Sequence, residues 1–154
     1  MPSDTVAIAA DHAGFQLKSA LKEELARMGR ETLDLGTSSE EAVDYPDFAD
    51  RLADTLARGH AKFGVLMCGS GIGMSIAANR NPAVRAALCT TPEMARLARL
   101  HNDANVLVLG GRITPQDTAK QCLHAFLETP FEGGRHARRV AKLSKQNVNV
   151  MEGR

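Results

Sequence analysis

Five short, almost wholly apolar runs recur along this chain, each followed by a longer stretch of helical period. They are TVAIAAD (5–11), ETLDLG (31–36), FGVLMCG (63–69), VRAALC (84–89) and NVLVLGG (105–111). Near-continuous apolarity over so few residues suits strands covered on both faces, which is the environment of a parallel sheet. Parallel neighbours need long crossovers, and amphipathic segments lie where those crossovers belong. In 13–29, Phe15, Leu17, Leu21, Leu25 and Met28 recur at helical spacing; in 46–60, Phe48, Leu52, Ala53 and Leu56 do so. Thr91-Pro92-Glu93 and Thr114-Pro115-Gln116-Asp117 each read as an N-cap threonine, a proline in the first turn and an acid behind it. Gly29 and Gly59 read as helix stops.

These signals predict an α/β fold: a doubly wound, Rossmann-like, five-stranded parallel sheet in a three-layer sandwich, with strand order 2-1-3-4-5. One domain spans 1–147, with a last helix in GGRHARRVAKLSKQN and a tail over 148–154. A length of 154 residues fits one such unit.

Several function classes are disfavoured. A net charge of +1 with no Trp, one Tyr and five Phe offers neither a basic face nor stacking platforms for nucleic acid. The N-terminus lacks an export pattern and no run reaches the ~20 apolar residues of a membrane span. Three scattered cysteines without a CxxC or Cys/His grouping suit a reducing cytoplasm and give no metal motif.

In such folds ligands bind beyond the carboxyl ends of the strands. Asp11 and His12 follow the first run, the loop GTSSEEAVDY ending at Tyr45 the second, Cys68-Gly69-Ser70-Gly71 the third, and Gly110-Gly111-Arg112 the fifth. Segment 66–79, LMCGSGIGMSIAAN, matches neither GxGxxG nor a Walker loop nor a GxSxG elbow. Its Gly69, Gly71 and Gly73 nevertheless permit a nest of amides able to hold an anion or a developing oxyanion. Cys68 is then either a small strand-end packing residue or a thiol whose thiolate form those amides favour. Cys89 and Cys122 read as packing, and His60 and His124 as structural. His101 and Asn102 end a helix just before the fifth run; the histidine is a helix cap or a proton-transfer group. Arg135 and Arg139 share one helical face and, with Arg112, could clamp a phosphate. The site groups are expected together at one edge of the sheet.

Taken in order, DHAG, DYP, CGSGIGMSIAANR, HND and GGRH resemble the type B ribose-5-phosphate isomerases of the ribose/galactose-6-phosphate isomerase superfamily, over about Val6 to Gln146. The resemblance implies cofactor-free, metal-free aldose–ketose isomerisation of a sugar phosphate through a cis-enediolate. Cys68 would be the general base, the amides of Gly69, Ser70, Gly71 and Gly73 would cradle the enediolate, and Ser70 would count with the catalytic group. His101 would open the furanose ring with Asp11 and Tyr45 assisting, and Asn102 would hold a sugar hydroxyl. His12, Arg112, Arg135 and Arg139 would bind the phosphate. In one branch of the family a glutamate replaces the cysteine, at the position of Met74 here. The resemblance further implies a homodimer or tetramer with a site shared between subunits, in which His101 and some of the arginines would reach the partner's Cys68, in pentose phosphate metabolism. Ribose 5-phosphate is the expected substrate; galactose 6-phosphate, allose 6-phosphate and a tetrose 4-phosphate remain alternatives. So do a Cys-His thiol hydrolase and a non-catalytic sugar-phosphate-binding module.

Overall fold

The computed structural model describes residues 5–152, with side chains over 5–144. Its elements are β1 (Val6–Ala10), α1 (Phe15–Arg27), β2 (Thr32–Asp34), α2 (Tyr45–Ala57), β3 (Phe63–Cys68), α3 (Ile72–Ala78), β4 (Ala86–Leu88), α4 (Pro92–Asn102), β5 (Val106–Gly110), α5 (Gln116–Glu128) and α6 (Arg135–Glu152). A short 3-10 turn, His12–Gly14, links β1 to α1. The expected tail, 148–154, lies outside the residues described with side chains, and the backbone bounds of α6 take in its first part.

All five strands are parallel, as their apolarity requires, but their order is β2-β1-β3-β5-β4 rather than 2-1-3-4-5. The correction follows from burial. β5 contributes five fully enclosed residues, VLVLG, whereas β4 contributes only AAL, each half-exposed, so the longer apolar strand takes the interior place and the shorter one the edge. The chain passes from β3 over to the edge and returns to fill the gap with β5.

Right-handed crossovers then sort the helices. Moves in one direction along the sheet carry α1 and α4 to one face, where Leu21, Leu25 and Ala95 meet Ile8, Val65 and Leu107, joined by Leu123 and Phe126 of α5. Moves in the other direction carry α2 and α3 to the opposite face, where Leu52, Met74 and Ala78 meet Ala7, Ala9, Leu66 and Val108. Alternate strand residues thus feed two cores, the three-layer arrangement the sequence predicts.

Helix ends match the sequence reading in most places. Thr91 caps α4 through its hydroxyl, which accepts from the Met94 amide at 3.2 Å, with Pro92 and Glu93 in the first turn. Gly29 and Gly59 sit at φ +73° and +77° just past α1 and α2, each followed by an amide reaching back to the last turn: Arg30 N–H to Leu25 O at 2.9 Å, His60 N–H to Thr55 O at 3.0 Å. Thr114 does not cap α5. The residue before that helix is Pro115, without a side-chain cap, and Thr114 is buried.

His124, expected on a bland surface, ties two helices together. Its Nε2 lies 2.6 Å from Glu24 of α1 and its Nδ1 3.0 Å from Glu128 on its own helix. Cys89 and Cys122 are enclosed, and burial pushes both thiols up, Cys89 to about 12 with Cys122 beside it as a lesser cause. Both pack within the core that α4 and α5 share with the sheet. No helix among the described residues is long and apolar enough to cross a membrane.

Candidate active site

Three loops converge at the carboxyl edge of the sheet because the central strands β1, β3 and β5 all end there. Ala10 of β1 pairs with Met67 of β3, and Cys68 pairs with Gly110 of β5. Beyond the last ladder positions, the Gly111 amide donates to Cys68 O at 2.7 Å and the Arg112 amide to Gly69 O at 2.9 Å. The Asp11 amide donates to Met67 O at 3.2 Å. Residues distant in sequence are thus locked around the end of β3.

Cys68 is its centre. The side chain is 5% exposed, and its Sγ accepts a hydrogen bond from the Gly71 amide at 3.2 Å. That bond needs Gly71 at φ +83°, left-handed backbone in which a side chain would also strike Leu88 at 2.5 Å and the Leu109 backbone at 3.1 Å. The expected cradle is thereby partly corrected: the Gly71 N–H serves the sulfur. The Ser70 hydroxyl accepts from the Ile72 amide at 3.2 Å and so starts α3.

Around this centre stand four of the other predicted residues. Asp11 is buried, and its Oδ1 accepts from the Ala13 and Gly14 amides at 3.0 and 3.2 Å, so its carboxylate holds the HAG turn in shape. His12 accepts at Nδ1 from the Val43 amide at 3.2 Å, which assigns the ring proton of the neutral form to Nε2 and ties the 36–45 loop to the turn. Tyr45 opens α2 and lies against Gly73, where a methyl group would meet its ring at 2.6 Å. Arg112 lies against Gly69, with Nη1 3.6 Å from where a side chain there would begin.

The remaining predicted residues are elsewhere in the chain. α4 and α5 run antiparallel to the strands, so His101 and Asn102 at the end of α4, and Arg135 and Arg139 at the start of α6, lie at the amino edge. The five residues of β5 separate the two edges by about 15 Å at the ~3.3 Å rise of a parallel strand. The expectation of a single edge is corrected: the predicted residues of one chain fall into two candidate half-sites, because every helix crossover reverses direction.

The amino-edge half-site contains two residues that the sequence reading leaves out. His136 stacks on His101, with ring centroids 4.3 Å apart and planes at 17°, and Glu132 Oε2 lies 4.0 Å from His101 Nε2. His136 is 7% exposed and its Nε2 has no hydrogen-bond partner among the described residues. Burial lowers its pKa, and the neighbouring His101 and Arg135 act in the same direction. Position 136 is the last of the GGRH motif, and only tertiary packing shows that it meets a residue thirty-five positions earlier. Asn102 borders a separate cleft of ≈ 400 Å³ with Arg85 and Leu143.

A sequence profile of the ribose/galactose isomerases matches residues 6–143, nearly the whole described chain. The chain belongs to the ribose/galactose isomerase family. Its family relatives include ribose-5-phosphate isomerase B of Escherichia coli K12, 42% identical over 139 residues that make up 90% of this chain and 93% of that one. The fold agrees at TM-score 0.90 with a ribose 5-phosphate isomerase of Thermotoga maritima, 52% identical over 92% of this chain and 97% of that one. It agrees at 0.89 with ribose-5-phosphate isomerase B of Mycoplasma genitalium with bound ribulose 5-phosphate, 38% identical over 96% and 97% of the two chains.

Proposed function

We propose that this sugar-phosphate isomerase interconverts D-ribose 5-phosphate and D-ribulose 5-phosphate, with a site completed by a second copy of the chain. The observation that carries the reading is Cys68: a thiol at the meeting point of three strand-end loops, with a backbone amide on its sulfur and Arg112 across Gly69. A sulfur so placed is solvated by the protein rather than by water, which suits a thiolate acting as base.

The proposed reaction begins with the furanose form. The partner subunit's His101 takes the proton from the C1 hydroxyl and returns a proton to the ring oxygen, and the bond between that oxygen and C1 breaks to give the open aldose. Cys68 Sγ then removes the C2 proton. The electron pair moves into a C1–C2 double bond and the aldehyde oxygen becomes an enediolate oxygen, held by the amides of Gly69, Ser70 and Gly73. The proton on the C2 hydroxyl passes to that oxygen, and the Cys68 thiol returns its proton to C1, leaving the ketose and the thiolate. His12 and Arg112 from one chain, with Arg135 and Arg139 from the other, hold the phosphate.

Two half-sites at opposite edges support the shared site. A back-to-front pair of chains brings the amino edge of each to the carboxyl edge of the other, so a two-fold dimer makes two equal sites. Three unpaired cysteines fit a reducing compartment such as the cytoplasm. The decisive measurement is kcat/KM over four-, five- and six-carbon aldose phosphates with detection of the ketose. A clear maximum at ribose 5-phosphate supports the assignment, a maximum at another length reassigns the substrate, and binding without turnover replaces the enzyme with a binding module.

A further inference from the structure

The start of α6 and the end of α4 are pinned together by the loop between α5 and α6. The Glu132 amide donates to Leu100 O at 3.1 Å, and the His136 amide to Gly133 O at 3.0 Å. One nitrogen from each of His101 and His136 and one carboxylate oxygen of Glu132 lie within 4.8 Å of one another. Two imidazoles and a carboxylate are the donor set that borderline divalent ions prefer. We propose that His101, Glu132 and His136 form a three-ligand site for a divalent transition-metal ion of the zinc type, and that the ion inhibits the enzyme.

Two features favour a ligand here over simple proximity. His136 Nε2 is buried and without a partner among the described residues, an unusual state for an imidazole nitrogen, and a metal would satisfy it. The other two donors can adjust: His101 is 38% exposed and Glu132 54%. Tetrahedral ligands at ~2.1 Å from zinc stand ~3.4 Å apart, so an inward movement on the order of 1 Å, with a turn of the His101 ring out of its stack, closes the set. The fixed donor is buried and the mobile ones are at the surface. With three protein ligands a position stays open for water or for a phosphate oxygen.

The inhibitory consequence rests on the reading of His101 as the ring-opening base, since a metal on its nitrogen removes the lone pair that takes the proton. The binding itself does not rest on that reading. In the test, metal-free full-length protein is titrated with Co2+, whose visible absorption reports nitrogen and oxygen ligation and whose near-ultraviolet charge-transfer band reports thiolate. The expected result is one Co2+ per chain without the thiolate band, displaced by Zn2+, and weakened at least about tenfold in Glu132→Gln and in His136→Asn. Absence of saturable binding, a thiolate band, or unchanged affinity in both variants overturns the site. With inhibition expressed against each protein's own metal-free rate, Glu132→Gln should need at least about tenfold more Zn2+ for half-inhibition than the wild type. Equal zinc sensitivity in the two proteins overturns the inhibitory role. Saturable Co2+ binding in a protein that turns over no sugar phosphate would leave the site standing and remove the proposed activity instead.

Discussion

Replacing Cys68 by alanine separates what this residue does for the fold from what it does for the reaction. The thiol is 5% exposed, and its sulfur is the acceptor for the Gly71 amide at 3.2 Å. Its removal leaves a small void and a buried N–H without a partner, together worth about 2 kcal/mol. For a domain of this size that lowers Tm by about 4–8 °C, and ordinary domain stability of 5–15 kcal/mol leaves the protein folded. The proposed phosphate-binding residues His12 and Arg112 belong to other loops, so the inhibition constant of inorganic phosphate should stay within about twofold. Loss of a general base should lower kcat by at least about 100-fold. Cys68→Ser sharpens the test, because the hydroxyl restores an acceptor for Gly71 but is a far weaker acid than a thiol. Serine should recover much of the lost Tm, measured by circular dichroism, and little of the lost kcat. If alanine retains most of the activity, or if serine restores rate and stability together, the thiolate assignment is wrong.

Three further outcomes follow from the geometry. Cys68→Ala and His101→Asn proteins should each be inactive, and mixing them through unfolding and refolding should restore about a quarter of wild-type activity, since half the random dimers carry one intact shared site; no recovery on mixing would place both groups in one subunit's site. Burial favours the neutral acid of Asp34, but hydrogen bonds from Lys18 and Lys22 and the Gly36 amide outweigh it and hold the pKa at about 2, below its ordinary 3.8. A depressed carboxylate stabilises the fold above its unfolded pKa, so urea unfolding should show about 1 kcal/mol, after discounting for solvent screening, lost between about pH 4 and pH 2, and Lys18→Met should weaken that acid dependence. His124 has the opposite sign: its hydrogen bonds to Glu24 and Glu128 raise its pKa above 6.5, so its contribution is complete below pH 6.5 and is lost as pH rises through the folded value. His124→Gln should flatten the stability profile above pH 6.5, and an unchanged profile would mean that the clasp between α1 and α5 contributes nothing.

Local chemistry made much of this protein legible from its sequence. The five apolar runs, the Thr91-Pro92-Glu93 cap and the stops at Gly29 and Gly59 depend on neighbours within a few residues, and each appears in the structure where the sequence placed it. The carboxyl-edge half-site was equally readable, since the residue after a parallel strand must emerge at that edge. The strand order was not. VRAALC and NVLVLGG both read as strands, and which one takes the interior is decided by competition for burial between whole elements, won by the longer apolar β5. The same holds for His101: its motif marked it, but the reversal of direction in α4 put it at the opposite edge of the sheet from Cys68, a consequence of chain topology. The stack of His101 on His136 and the approach of Glu132 come from a contact between α4 and the entry to α6 that no residue spacing encodes. Periodicity, caps and turn residues are properties of short segments, and they set which elements form. Partners across the fold are chosen by packing, so only the tertiary structure divides the candidate site into two halves and sets them at opposite edges of one sheet.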